Sequence, residues 1–193
     1  MDKIDSLDKI NALVSDIRSL RKGYLTNFFL DRKKHSLWIE KGELFYVSFP
    51  DCYFLLHLTN SVNNLFFITT TSQQLAENLK AFLPIFAEQM VVDIVGDAKI
   101  VDLKDVFVEQ GFSVYEQLYR MNRIGTLEFK EIDTPNVCFA EDVDAQVVLD
   151  MLHSYFDPLS EQLPSYEEIL YFISQKSVLV YKEAGKVYGV VIF

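Results

Sequence analysis

Three histidines and two cysteines are the side chains in this sequence best suited to act as base, nucleophile or soft-metal ligand. A nucleophilic triad needs a Ser or Cys beside a His and a carboxylate. His57 ends the apolar run CYFLLH, and His153 lies beside an apolar stripe in VVLDMLH. Neither has the strand–turn–helix setting of a nucleophile elbow, so triad chemistry is not expected. No two of His35, His57 and His153 share the i, i+4 spacing of a helical metal pair, and no metal is expected. Cys52 and Cys138 are far apart, without metal-ligand spacing. Both have apolar neighbours and are expected to be reduced core thiols. Gly23, Gly42, Gly96, Gly111, Gly125, Gly185 and Gly189 all stand alone, so there is no P-loop or dinucleotide-binding turn.

Composition narrows the partners. Half of the 193 residues are hydrophobic and 14% are aromatic, which supplies a core and argues against disorder. A net charge of −10 argues against nucleic acid and anionic membrane as partners. Arg32, Lys33, Lys34 and His35 make the one tight basic run, read as a solvated turn. The acid is uneven, with a net −2 over residues 1–125 and −8 over 126–193. This shift suggests two units, the second suited to a cationic acceptor such as an amine or to an acidic solvated surface. The opening MDKIDSLDKI lacks the basic and apolar regions of a signal peptide, and no apolar run approaches a membrane span. A cytoplasmic protein is the expectation.

These residues must be positioned by helices and strands. Leu7, Ile10, Leu13, Val14, Ile17 and Leu20 recur at helical spacing, and Gly23 can end that helix. Asp31 to His35 reads as a polar turn. Strands are expected at 36–40, 44–49, 53–58 and 65–70, joined by short turns into an antiparallel meander. Ser72 can cap a helix bearing Leu75, Leu79, Phe82, Leu83 and Phe86, which Pro84 should kink or end. Residues 91–95 read as a strand, 101–110 as a helix capped by Gly111, and 113–123 as a long strand. The polar stretch 126–135 is the predicted linker between a unit at 1–125 and another at 136–193. In the second unit, 136–140 reads as a strand. Asp142 can cap a helix whose inner face carries Val148, Met151, Leu152, Tyr155 and Phe156. Ser165 and Glu168 form a capping box before a further helix. The chain closes on a hairpin, VLVYKEAGKVYGVVIF, turning at Ala184 and Gly185. The fold class expected is α+β, with a mixed, largely antiparallel sheet flanked by helices. The two element orders overlap like an incomplete internal duplication.

The closing hairpin, with Lys186-Val187-Tyr188-Gly189 opening its second strand, resembles the second and third strands of the GNAT superfamily of acyl-CoA-dependent N-acyltransferases. The stretch VDLKDVFVEQGFSVYEQLYRMNR resembles that family's late helix and strand, with Gly111-Phe112 at its frequent "GF" step. The resemblance covers most of the chain in outline. It implies a degenerate GNAT-like unit at 1–125 and the amino-terminal part of another at 136–193. It further implies acetyl-CoA or another acyl-CoA as co-substrate and a small-molecule or peptide amine as acceptor.

The same resemblance assigns roles. The family binds the acyl-CoA pyrophosphate at a turn of the form (Arg/Gln)-x-x-Gly-x-(Gly/Ala) on a helix N-terminus. In the first unit that place is LFFITTTSQQLAENL, without Gly or Arg. In the second unit it would follow Phe193, so the chain as given is expected to be a fragment with little transfer activity, or to be completed by another chain. A Tyr that often serves as general acid four residues before the "GF" glycine is replaced by Phe107, which cannot protonate a thiolate. The loop YFDPLSEQLPS would form a wall of the acceptor pocket, placing Tyr155, Asp157 and Glu161 to meet an amine; the plainer reading is a surface loop with helix-capping acids. Two rivals to the enzyme stand beside it: a non-catalytic GNAT-like binding or assembly module, and a homodimer paired through the Phe193 edge.

Overall fold

The computed structural model describes residues 1–59, 62–86, 88–95, 101–117 and 134–193. They fall into two compact units, Met1–Val114 and Tyr115–Phe193. The predicted linker lies, as far as residue 133, outside the described residues. Each unit is α+β, with an antiparallel sheet and helices packed on it.

Unit 1 begins with β1 (Asp2–Lys3), α1 (Leu7–Ser19), β2 (Leu25–Thr26) and α2 (Arg32–Lys41). The meander β3 (Leu44–Phe49), β4 (Cys52–His57) and β5 (Asn64–Thr69) follows, then α3 (Ser72–Phe82) and α4 (Val101–Glu109). The sheet order is β1-β3-β4-β5-β2. Helices cover both of its faces. Ile10, Leu13 and Ile17 of α1 and Trp38 of α2 pack on Leu44, Leu55, Phe66 and Ile68. Leu75, Leu79 and Phe82 of α3 and Leu103 and Phe107 of α4 pack on Phe54, Leu56, Leu65 and Phe67. Successive strand residues point to opposite faces, so a central strand covered on both sides must be apolar throughout. This is why YFLL and LFFI show no polar alternation.

Several boundaries differ from the sequence reading. Residues 36–40 are helical, not a strand, and the basic run is the first turn of that helix. The Asp31 carboxylate caps α2 by accepting from Lys33 N at 2.9 Å and Lys34 N at 3.1 Å. Gly42 closes it at φ +73. Helical spacing then turns His35, Trp38 and Ile39 toward the core. The cap of α3 is Thr71, which accepts from Gln74 N, and Pro84 lies in the 3-10 turn Leu83–Ile85 after that helix. Of residues 91–95 only Val91 bridges, in parallel to Asn64. Residues 113–117 are not in a strand, and the rest of that predicted strand lies outside the described residues.

Unit 2 contains β6 (Val137–Phe139), α5 (Ala145–Tyr155), α6 (Tyr166–Ser174), β7 (Val178–Glu183) and β8 (Lys186–Ile192), with sheet order β6-β7-β8. The predicted capping box is present: Ser165 Oγ accepts from Glu168 N at 3.3 Å, and a Glu168 carboxylate oxygen accepts from Ser165 N at 2.8 Å. Val148, Leu152, Ile169 and Ile173 bury one face of the sheet against Val178, Val180 and Val187. The start of α5 differs from the prediction. Glu141 caps a 3-10 turn, Asp142–Asp144, that feeds the helix. Tyr155 and Phe156 are exposed, not on its inner face; Tyr155 is the last helical residue, and at Phe156 the chain turns extended.

The cysteines also part company. Cys52 is buried, whereas Cys138 is exposed on the edge strand β6, contrary to its expected place in a core. Burial pushes the Cys52 thiol up to about 12, with an opposing hydrogen bond from Thr69. Thiol labelling with a disulfide reagent at neutral pH should therefore titrate Cys138 at once and Cys52 only on unfolding. Immediate labelling of both would contradict this placement.

Candidate functional site

The loop between α5 and α6 carries the three residues expected to meet an acceptor. Tyr155 ends α5 with 76% of its surface exposed. Asp157 organises the loop. Its carboxylate accepts from Leu159 N at 2.9 Å, and its carbonyl accepts from Ser160 N at 3.1 Å and Glu161 N at 2.9 Å. The Tyr115 hydroxyl donates to the other carboxylate oxygen. That bond, then the Leu159 N–H, holds the Asp157 carboxyl below its ordinary range, and the same bond raises the Tyr115 phenol. Glu161 is half-buried and its carbonyl accepts from Leu163 N at 2.8 Å. The structure therefore joins Asp157 and Glu161 through one turn. The phenol bonded to Asp157 is that of Tyr115, which lies in the stretch 113–123 expected to be a strand.

In unit 1 the stretch that the acyltransferase resemblance sets against a pyrophosphate turn is the junction of β5 and α3. Two of its hydroxyls are engaged: Thr69 Oγ1 donates to Asp51 O at 3.1 Å, and Thr71 Oγ1 accepts from Gln74 N at 3.2 Å, capping α3. Beside it, the outer edge of β5 has an unusual neighbour. Leu65 N donates to Val91 O at 2.9 Å and Val91 N donates to Asn63 O at 2.8 Å, after which parallel pairing stops. The buried Asn27 amide fills the next position. Its Nδ2 donates to Leu65 O at 3.2 Å and to Asp93 O at 3.0 Å, and its Oδ1 accepts from Phe67 N at 2.7 Å. Further along, Leu25 and Thr26 of β2 pair with Thr69 and Ile68.

Phe107, at the general-acid position of the resemblance, is 3% exposed. Its ring lies 5.9 Å from that of Phe67 and 5.3 Å, edge-on, from that of Phe112. It is a packing residue of the second core.

The structure also gathers a group that the sequence did not suggest. His57 stacks on Trp38 with ring centroids 3.7 Å apart and planes 9° apart, and its Nε2 is 3.2 Å from Glu43 Oε2. His35 meets Trp38 edge-on at 4.7 Å and stacks on Phe28 at 4.5 Å. His35 Nδ1 accepts from Asp31 N at 3.0 Å, which fixes the neutral ring with its proton on Nε2. Burial, followed by the nearby Lys34 charge, lowers His35 to about 4. This is an aromatic core cluster beneath α2. Reading 36–40 as a strand hid it, because only helical spacing puts His35 and Trp38 on one face.

Among the described residues, no group of three or more His, Cys, Asp or Glu is gathered to hold a metal, and no helix is long and apolar enough to cross a membrane. Comparison with protein-family models, with curated proteins and with solved structures finds no match to this chain.

Proposed function

We propose that the chain is GNAT-like in both units and serves acyl-CoA-dependent N-acyl transfer to a small-molecule or peptide amine. The observation that carries this reading is the strand arrangement of unit 1. An antiparallel meander, β3-β4-β5, is followed by a helix and then by a strand position at Val91 that joins β5 in parallel and parts from it after one bridge. The acyltransferase resemblance implies, after its hairpin, a strand that splays from its neighbour, and β5 parting from the Val91 segment fits that.

In the reaction so assigned, the amine attacks the thioester carbonyl. The C–N bond forms, the C–S bond breaks, the departing thiolate takes a proton and the amine loses one. Orientation of both partners and backbone N–H groups facing the developing oxyanion supply the acceleration. Unit 1 is poorly furnished for this, with a phenyl ring at Phe107 and its Thr69 and Thr71 hydroxyls engaged. The transfer is therefore assigned to unit 2. There the anionic Asp157, with Tyr155 and Glu161 on the same loop, would face the acceptor and suit a cationic amine before it loses its proton. The second reading, a non-catalytic binding or assembly module, is favoured for unit 1 by those same features.

Calorimetric titration of acetyl-CoA into the protein tests the proposal. Saturable binding is expected. Its absence would remove the acetyl-CoA reading and leave the module.

A further inference from the structure

The helices of unit 2 pack on one face of its sheet, where Val148, Leu152, Ile169 and Ile173 bury Val178, Val180 and Val187. The alternation of a strand turns the intervening residues to the opposite face, which in an antiparallel sheet facing water is ordinarily polar. Here that face carries Val137, Phe139, Tyr181, Val191 and Phe193, each 38–69% exposed, around a partly buried Leu179. The register sets them in rows across the sheet: Phe139-Leu179-Val191 toward one end of β7, and Val137-Tyr181-Gly189 toward the other.

Two opposite charges mark the ends of this face. The Lys176 ammonium lies 6.0 Å from the centre of the Phe139 ring. At the other end the Tyr181 hydroxyl donates to the Glu183 carboxylate. Gly189 adds a third mark. Its φ is not in the left-handed region, and a Cβ there would meet only Tyr181 Cβ, at an ordinary 3.7 Å. The register shift beside it, between Tyr181 and Lys182, therefore leaves a backbone that any residue can adopt. A glycine inside a strand weakens it, and one that its own chain does not require suits the close approach of another.

We infer that this face docks a second copy of the chain, sheet on sheet, about a two-fold axis that runs across the strands. Such an axis reverses strand direction while keeping β6 over β6, β7 over β7 and β8 over β8 of the other copy. The ends exchange. Lys176 of each copy meets Glu183 of the other, Phe139 meets the smaller Val137, and Val191 enters the space left open at Gly189. An isologous interface needs a patch complementary to itself in charge and bulk under one rotation, and this face is. Its two rows carry no charge, and the remaining charge of two chains of net −10 is screened beyond roughly 8 Å at physiological salt. Pairing through the β8 edge is a different contact, made by backbone groups and leaving Phe139, on β6, outside it.

Sedimentation velocity of the full chain over a concentration series tests the inference. A reversible dimer is expected, with a dissociation constant on the order of 10 μM for so small an interface. Phe139→Gln should weaken it at least about tenfold. Lys176→Glu alone and Glu183→Lys alone should each weaken it about tenfold, by setting like charges together at both symmetric points. Combining those two substitutions should restore the parent affinity to within about threefold, an outcome that damage to folding does not produce. The substituted side chains are all exposed, so each variant should keep its fold. A chain that stays monomeric throughout the series overturns the inference. So does a dimer indifferent to Phe139→Gln and to the charge exchange, because another surface, such as the β8 edge, would then hold it.

Discussion

Asn27→Leu should destabilise unit 1 by about 3 kcal/mol, because it keeps the volume and removes every hydrogen bond at one buried point. Phe67 N, Leu65 O and Asp93 O all lose their side-chain partner at once. Each unsatisfied buried group costs about 1–3 kcal/mol, so leaving all of them dry would cost more than that total. The cost is capped, however, by the free energy of detaching the Gly23–Asn27 segment from β5, which would let water reach the same groups. The smaller of the two costs is the one observed. Urea unfolding followed by the fluorescence of Trp38, the single tryptophan, reads it in unit 1 alone. Asn27→Asp gives the complementary test. Its carboxylate can still accept from Phe67 N but faces the Leu65 and Asp93 carbonyls with no proton to give. Its folded-state pKa must therefore rise, and the lost stability should return as pH falls and be lost again as pH rises. A neutral effect of both substitutions would show that Asn27 holds nothing.

Mild acid should cost unit 1 about 3 kcal/mol between roughly pH 6.5 and pH 4, through His35. The sign follows from the direction of the shift. The folded ring stays neutral down to about 4, whereas the unfolded ring takes a proton near its ordinary value of 6.5. Through that window the unfolded state binds more protons, so stability falls as pH falls. The groups that perturb the ring are Lys34, Asp31 and His57, with Phe28 and Trp38 walling it off from water. Asp31 does not blur the window. Its carboxyl is lowered by the Lys34 and Lys33 backbone N–H groups, so its stabilisation is lost only in stronger acid, below its ordinary value of 3.8. His35→Asn places an acceptor near the Asp31 N–H without a titrating ring. The Trp38-detected urea midpoint of that variant should be nearly flat over this range. A native chain equally flat from pH 6.5 to 4 would place His35 in contact with water.

What the sequence made legible follows from what carries a periodic signal. β4 and β5 were readable because helices on both faces demand apolar residues at every position. The capping box at Ser165 and Glu168 was readable because its partners are three residues apart. α2 was misread because Leu37, Trp38 and Ile39 form an apolar cluster typical of a strand, while its true signals, the Asp31 cap and the left-handed Gly42, lie outside that run. Phe156 was misplaced because a helical stripe extrapolates to the residue at which the backbone turns extended, and Tyr155 because it sits in the last helical position, exposed at 76%. Asn27 left no trace. One polar residue in a loop has no period, and its partners lie 38, 40 and 66 residues away. Tyr115 and Asp157, 42 residues apart, were invisible as a pair for the same reason.

The most direct test of the acyltransferase reading is acetyl-CoA titration of the protein followed residue by residue, as amide chemical shifts on isotopically labelled protein. The account predicts saturable shifts among the unit 2 amides, with the loop around Asp157 and Glu161 responding to an added amine rather than to acetyl-CoA, and none at Phe67 or Thr69–Ser72, where Asn27 and the cap of α3 engage the backbone. Saturable shifts at Phe67 and Thr69–Ser72, or no shifts in either unit, would contradict it.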